Sequence, residues 1–221
     1  KQLSGPGCVI VVSAGNDGVT PVCIHRNTTS AQDTITALVN GFRSNLSKTG
    51  YVNAWSKNGK AFNTRLVVVD TRDGSILYRS RALGATIQGV SATISTETDT
   101  LLARYYTGTV QMNGTIEENG NPSSLCELDM TAASRYYALG FQYYSPSTIE
   151  LSVWSSMYAY FRNYDLPWVE TGSSMGSISD LATTDSVISV GAYNTRQYLP
   201  LRDGSTYHRS GIPPMELSDF T

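Results

Sequence analysis

Val9-Ile10-Val11-Val12-Ser13-Ala14-Gly15-Asn16-Asp17-Gly18 is a short continuous apolar run that stops at a glycine-rich turn. A second run of the same texture, Ser186-Val187-Ile188-Ser189-Val190-Gly191-Ala192, lies near the other end of the chain. Neither alternates apolar with polar residues, as a half-exposed antiparallel strand does. Continuous runs of this length read as strands buried on both faces, as in a parallel sheet covered by helices. In such sheets the residues that touch ligands sit just past the carboxyl ends of the strands. Asn16 occupies that kind of position.

Between the runs, from about residue 19 to 166, the pattern changes to many short strands with turn signals. Strands are expected at 22–26, 34–39, 51–56, 66–69, 75–79, 101–112, 136–144 and 148–154. Asp70-Thr71-Arg72-Asp73-Gly74 predicts a hairpin with an Asp-Gly turn, Asn113-Gly114 a turn after the long strand, and Ser145-Pro146-Ser147 a further hairpin. Abundant Ser and Thr and 14 tyrosines suit pleated, half-buried surfaces. The fold class expected is mainly β: an antiparallel β-sandwich or jelly-roll insertion at 19–166, flanked by two parallel strands of an α/β domain made by 1–18 and 167–221. A single all-β domain, with both apolar runs as central sandwich strands, is the alternative.

The 221 residues suffice to bury a core, and their formal net charge of −2 provides no basic field for a nucleic-acid backbone. No apolar run approaches the length of about 18 residues that crosses a bilayer as a helix, so no membrane span is expected. Lys1-Gln2-Leu3-Ser4-Gly5 reads as the continuation of a chain that starts upstream, so the lack of a signal peptide says nothing about export. Cys8, Cys23 and Cys126 fit neither a disulfide framework nor paired zinc ligands. Cys8 is expected as a buried small hydrophobe, and Cys23 with Cys126 is left as an open pairing. Glu97, Asp99, Glu117 and Glu118 form no calcium loop, and neither metal nor cofactor is expected.

The string at 9–18 resembles the strand and loop that carry the oxyanion-hole asparagine of the subtilisin-like serine proteases, the subtilases. Residues 185–194, D-S-V-I-S-V-G-A-Y-N, look like the strand that follows in that family, and Glu216-Leu217-Ser218-Asp219-Phe220-Thr221 look like the start of its next loop. The three motifs stand in the family's order and cover about a third of the chain. The middle is similar to the jelly-roll insertions of some bacterial subtilases, such as the clostridial spore-germination proteases. The resemblance implies a secreted or cell-envelope endopeptidase that hydrolyses peptide or protein substrates. It gives Asn16 the oxyanion-hole role, with Gly15 and Gly18 allowing close backbone approach or positive φ. The family's Asp and His motifs belong upstream and its nucleophile motif downstream, so no member of the triad is expected in this chain, which alone is expected to be inactive.

Several residues imitate functional ones. Ser174, in Thr171-Gly172-Ser173-Ser174-Met175-Gly176, has the look of a nucleophile motif, but it precedes the Val187 strand where the family's nucleophile follows it. Asp70 lacks the glycine of the family's Asp motif. His25 and His208 have no glycine–threonine context. The many tyrosines, with Trp154 and Phe161, are read as one set packing the core and another covering it, because adjacent strand residues point to opposite faces. Asn27-Thr28-Thr29, Asn45-Leu46-Ser47 and Asn113-Gly114-Thr115 match the glycosylation pattern. A carbohydrate- or protein-binding sandwich without catalysis stands as the alternative function, and a parent that has lost its triad as a third. The two apolar strands by themselves would expose an apolar face, through which dimerisation is expected.

Overall fold

A computed structural model describes residues 9–15, 18–31, 33–40, 48–85, 89–157, 159–176, 187–194, 198–208 and 216–217. The chain forms two compact units, one of Lys1–Thr20 with Ser174–Thr221 and one of Pro21–Ser173. The first unit contains β1 (Ile10–Ser13). The second contains β2 (Cys23–Asn27), β3 (Thr34–Asn40), β4 (Lys48–Ser56), β5 (Phe62–Asp70), β6 (Ile76–Arg79), β7 (Leu83–Ala85) and β8 (Val90–Ser95). It continues with β9 (Tyr106–Ile116), β10 (Pro122–Ala132), β11 (Tyr137–Tyr144), β12 (Glu150–Met157) and β13 (Tyr160–Phe161). The first unit resumes with β14 (Val187–Val190), β15 (Tyr193–Asn194), β16 (Tyr198–Pro200), β17 (Thr206–His208) and β18 (Glu216–Leu217).

The second unit is a sandwich of two antiparallel sheets, ordered β2-β12-β4-β10-β9-β8 and β13-β3-β11-β5-β6, with β7 paired to β5. Alternation along the strands sends one set of side chains into a shared core. Ile24, Val52, Met112, Cys126, Leu128 and Val153 from the first sheet meet Ile35, Phe62, Leu66, Leu139, Phe141 and Tyr143 from the second. Sheets that share one buried apolar layer in this way pack face to face.

Strand β5 is buried on both faces in its second half. Leu66 and Val68 face the shared core, while Val67 and Val69 join Leu38, Ala138 and Val169 in a smaller cluster on the opposite face. That face is covered by the segment after β13, where Tyr164, Leu166 and Val169 pack down. The Glu170 N–H donates to the Thr36 carbonyl at 2.9 Å, and Ser173 exchanges backbone hydrogen bonds of 2.7 and 3.0 Å with Cys23. The compact unit therefore closes at Ser173.

The Asp73-Gly74 turn forms as its residues predict: the Gly74 N–H donates to the Asp70 carbonyl at 2.9 Å, and Gly74 has φ 74°. The turn expected at Asn113-Gly114 does not form. Both residues lie inside β9, paired to Leu125 and Ser124 on one side and to Ser91 and Val90 on the other. An Asn-Gly pair reverses a chain only with positive φ at both positions, and a ladder on each side holds these two extended. The reversal comes at 117–120, where the Gly120 N–H donates to the Glu117 carbonyl at 2.8 Å and Gly120 has φ 80°. The strand expected at 101–112 begins only at Tyr106, after a 3₁₀ turn at Leu102–Arg104. The Asp99 carboxylate accepts from the N–H groups of Leu101 and Leu102 at 3.1 and 3.0 Å, and so starts that turn.

Candidate functional site

In the first unit β1 and β14 form a parallel pair, with Ile10 beside Val187 and Ser13 beside Val190. Parallel strands cannot be joined by a tight turn, because the chain must cross over to start the second strand from the same end. The two apolar runs thus make a sheet of their own, which removes the reading of both as central strands of one sandwich. Their surroundings differ from the expectation of strands buried on both faces. Val11 is 59% and Ile188 54% exposed, and β1 alternates half-buried with exposed residues. No α-helix occurs among the described residues to cover that face.

At the carboxyl end of β1 the Ala14 N–H donates to the Val190 carbonyl at 2.9 Å, which extends the pairing one residue further. Gly15 then turns the chain away with φ 111°, a conformation open to glycine and strained for residues with a Cβ. Its N–H reaches back to Ser13 Oγ at 3.3 Å. Gly18 is in a turn and half-buried, and it is not among the glycines with positive φ. Asn16, the site residue expected from the sequence, lies with Asp17 outside the described residues.

The fold is similar to that of a solved protease. The structure of the Clostridium perfringens CspB protease matches with a TM-score of 0.53 at 13% identity, covering 96% of this chain and 37% of that one. The chain therefore spans little more than a third of that protease. No protein-family model matches the chain, and no curated protein matches it.

Of the imitating residues, His25, His208 and Asp70 have local partners, and Asn45-Leu46-Ser47 lies outside the described residues. Ser174 makes no hydrogen bond to either histidine among the described residues. His208 sits opposite Tyr198 in the β16–β17 pair and stacks on it with ring centroids 4.7 Å apart. Asp70 is held by the Arg72 guanidinium, whose Nε donates to Oδ1 at 2.9 Å. Asp99 accepts from the Tyr78 hydroxyl as well as starting the 3₁₀ turn, and Glu117 accepts from the Ser123 hydroxyl. Among the described residues no group of His, Cys, Asp and Glu is arranged to hold a metal ion.

One polar cluster escapes sequence reasoning because its members meet only across strands. His25, on β2, faces Ser152 on β12, and His25 Nδ1 lies 2.7 Å from Ser152 Oγ. Its Nε2 lies 3.1 Å from Cys23 Sγ, two residues back on the same face. Trp154 stands edge-on to His25 at 5.4 Å and packs on Trp55 at 4.9 Å. A shallow cleft of about 210 Å³ opens beside the histidine, lined also by Arg26, Lys57 and Glu150. Its charges are already paired: Arg26 with Asp33 at 3.7 Å and Glu170 at 3.2 Å, Lys57 with Glu150 at 3.5 Å. Burial pushes the Cys23 thiol up to about 11, with Lys57 pulling slightly the other way. Burial, then Lys57, holds His25 below its ordinary value against the opposing effect of Glu150. The pair is therefore a neutral thiol beside a neutral imidazole at physiological pH, and not a thiolate nucleophile.

Cys23 and Cys126 are both free and buried. Cys126 belongs to the shared core, whereas Cys23 lies on the other face of the same sheet with His25, so the open pairing is excluded by geometry.

Proposed function

We propose that this chain is an internal segment of a subtilisin-like serine endopeptidase. It supplies Asn16 as a side-chain donor of the oxyanion hole and carries an inserted jelly-roll domain. The Ser, His and Asp of the triad belong to other parts of a longer protein that works outside the cytoplasm. The observation that carries this reading is the parallel pairing of β1 with β14, with Gly15 turning the chain at the carboxyl end where Asn16 follows. The strand orders β2-β12-β4-β10 and β3-β11-β5-β6, facing one another, support a jelly roll. The bridge between Cys23 and Ser173 brings the two ends of that unit together, as an insertion into a host domain requires. The likeness in fold to the CspB protease points the same way.

Attack on a peptide carbonyl places negative charge on its oxygen in the transition state. An amide N–H fixed near that oxygen stabilises the charge without carrying a charge of its own that would need desolvating. In subtilisin, the enzyme from which this magnitude comes, losing the donor costs about 2.7–4 kcal/mol of barrier. In the full-length enzyme Asn16→Ala is therefore expected to lower kcat by about 10²–10³-fold with little change in KM. A kcat unchanged by that substitution removes Asn16 from the mechanism.

A further inference from the structure

A second cleft of the sandwich, about 310 Å³, is lined by Thr71, Arg135, Tyr136, Arg162, Tyr164 and Asp165. Its two arginines are held in the same manner. The Arg135 guanidinium lies 4.9 Å from the centroid of Tyr136, and its Nη2 donates to the Tyr136 hydroxyl at 2.7 Å. The Arg162 guanidinium lies 5.0 Å from the centroid of Tyr164. Neither has a carboxylate within ion-pairing distance among the described residues, although Arg26 and Arg72 on the same sandwich both do. A guanidinium stacked on a ring keeps its plane fixed and its edge N–H groups directed outward, the arrangement that grips two oxygens of one anion.

The walls are built to hold that geometry. Tyr164 and Asp165 both have positive φ, 54° and 60°, which residues with a Cβ adopt only when their surroundings impose it. Here hydrogen bonds on either side of the two residues impose it. The Arg162 N–H donates to the Leu38 carbonyl at 3.0 Å, the Tyr164 hydroxyl to Asn40 Oδ1 at 3.3 Å, and the Asp165 N–H to Asn163 Oδ1 at 3.2 Å. On the other wall the Thr71 N–H and hydroxyl both donate to the Tyr136 carbonyl, at 2.8 and 3.1 Å. A third guanidinium, Arg72, lies 4.8 Å from the Tyr136 centroid but is neutralised by Asp70. Within the cleft, the two guanidinium charges outnumber the single carboxylate of Asp165. The tyrosine faces are occupied by guanidinium groups, which argues against a sugar ring stacked there and for a compact anionic group.

We propose that the cleft between Arg135 and Arg162 binds a tetrahedral oxyanion, a sulfate or phosphate group, either free or carried on a sugar. This assignment is independent of the protease reading, since every residue it uses belongs to the Pro21–Ser173 unit. The test is an NMR titration of the chain with inorganic sulfate, and separately with a monosaccharide 6-sulfate, ionic strength being held constant with chloride to cancel general screening. Saturable shifts confined to residues 71–72, 134–136 and 161–165 are expected. The double variant Arg135→Gln, Arg162→Gln is expected to weaken binding by about tenfold or more, as loss of charge-assisted hydrogen bonds implies, while Arg104→Gln leaves it unchanged. Tighter binding of the sugar sulfate assigns the group to a glycan, and tighter binding of inorganic sulfate assigns it to the free ion. Shifts that do not saturate, or equal binding by the double variant, overturn the proposal.

Discussion

Cys23 Sγ lies 3.1 Å from His25 Nε2, and the other ring nitrogen lies 2.7 Å from Ser152 Oγ. The order thiol, imidazole, hydroxyl is that of a nucleophile, a base and an orienting group. Its electrostatics are those of a structural contact, because burial holds the thiol up at about 11. Burial likewise pushes Cys126 up to about 12. Neither thiol is expected to alkylate with iodoacetamide at pH 8 in the folded chain, and both are expected to do so once it is unfolded in guanidinium. Peptide mapping by mass spectrometry reads the two positions separately. Rapid labelling of folded Cys23 would show a thiolate that this geometry does not produce.

Gly140 is fixed by space. A Cβ there would lie 2.2 Å from the Ala37 carbonyl oxygen and 2.7 Å from Leu38 Cα on the neighbouring strand β3. Backbone cannot yield as a flexible side chain does, so Gly140→Ala is expected to destabilise the sandwich by about 1–3 kcal/mol. Urea unfolding measures it, and a midpoint equal to the parent's would mean that β3 and β11 move apart freely.

Among the described residues the Tyr143 hydroxyl is buried with no hydrogen-bond partner, and so is Thr64 Oγ1 on the strand position opposite. An unsatisfied buried hydroxyl gains nothing for having left water. Tyr143→Phe keeps the ring and its edge contact with Phe62 while removing the orphan oxygen. It is expected to leave stability unchanged or raise it by up to about 1 kcal/mol. A loss of more than that would point to a bound water.

Asp70 links stability to pH. The Arg72 side-chain hydrogen bonds hold its carboxyl down to about 2, against burial, which acts the other way. The folded pKa is thus depressed, and its stabilisation is present above the unfolded value near 4 and is lost as pH falls through about 2. Asp70→Asn is expected to be less stable than the parent at pH 7, with the difference shrinking between about pH 4 and pH 2. A difference that stays constant over that window would assign the effect to packing.

What the sequence disclosed, and what it hid, follows from how local each signal is. The β1 and β14 runs were legible because continuous apolar runs suit a parallel sheet, and their pairing appears as read, although β5 carries such a run in an antiparallel sheet. Gly74 was legible because an Asp-Gly turn acts within a few residues. Asn113-Gly114 misled because its turn preference is weaker than two flanking ladders that no short window contains. The Arg135–Arg162 cleft was invisible for the same reason, since its walls come from segments far apart in the chain. Asn16 rests on its motif alone, being outside the described residues.

The antiparallel bridge of Cys23 to Ser173 has a practical corollary for anyone rewiring this polypeptide. Bridged residues across an antiparallel ladder have Cα atoms about 4.5–5.5 Å apart, so a linker of a few glycines could splice the native termini of the Pro21–Ser173 cassette. New ends could then be opened at an exposed tip such as residues 117–120, giving a circular permutant. The same closeness makes the cassette transplantable into any surface loop of an unrelated host whose stems stand a strand's width apart.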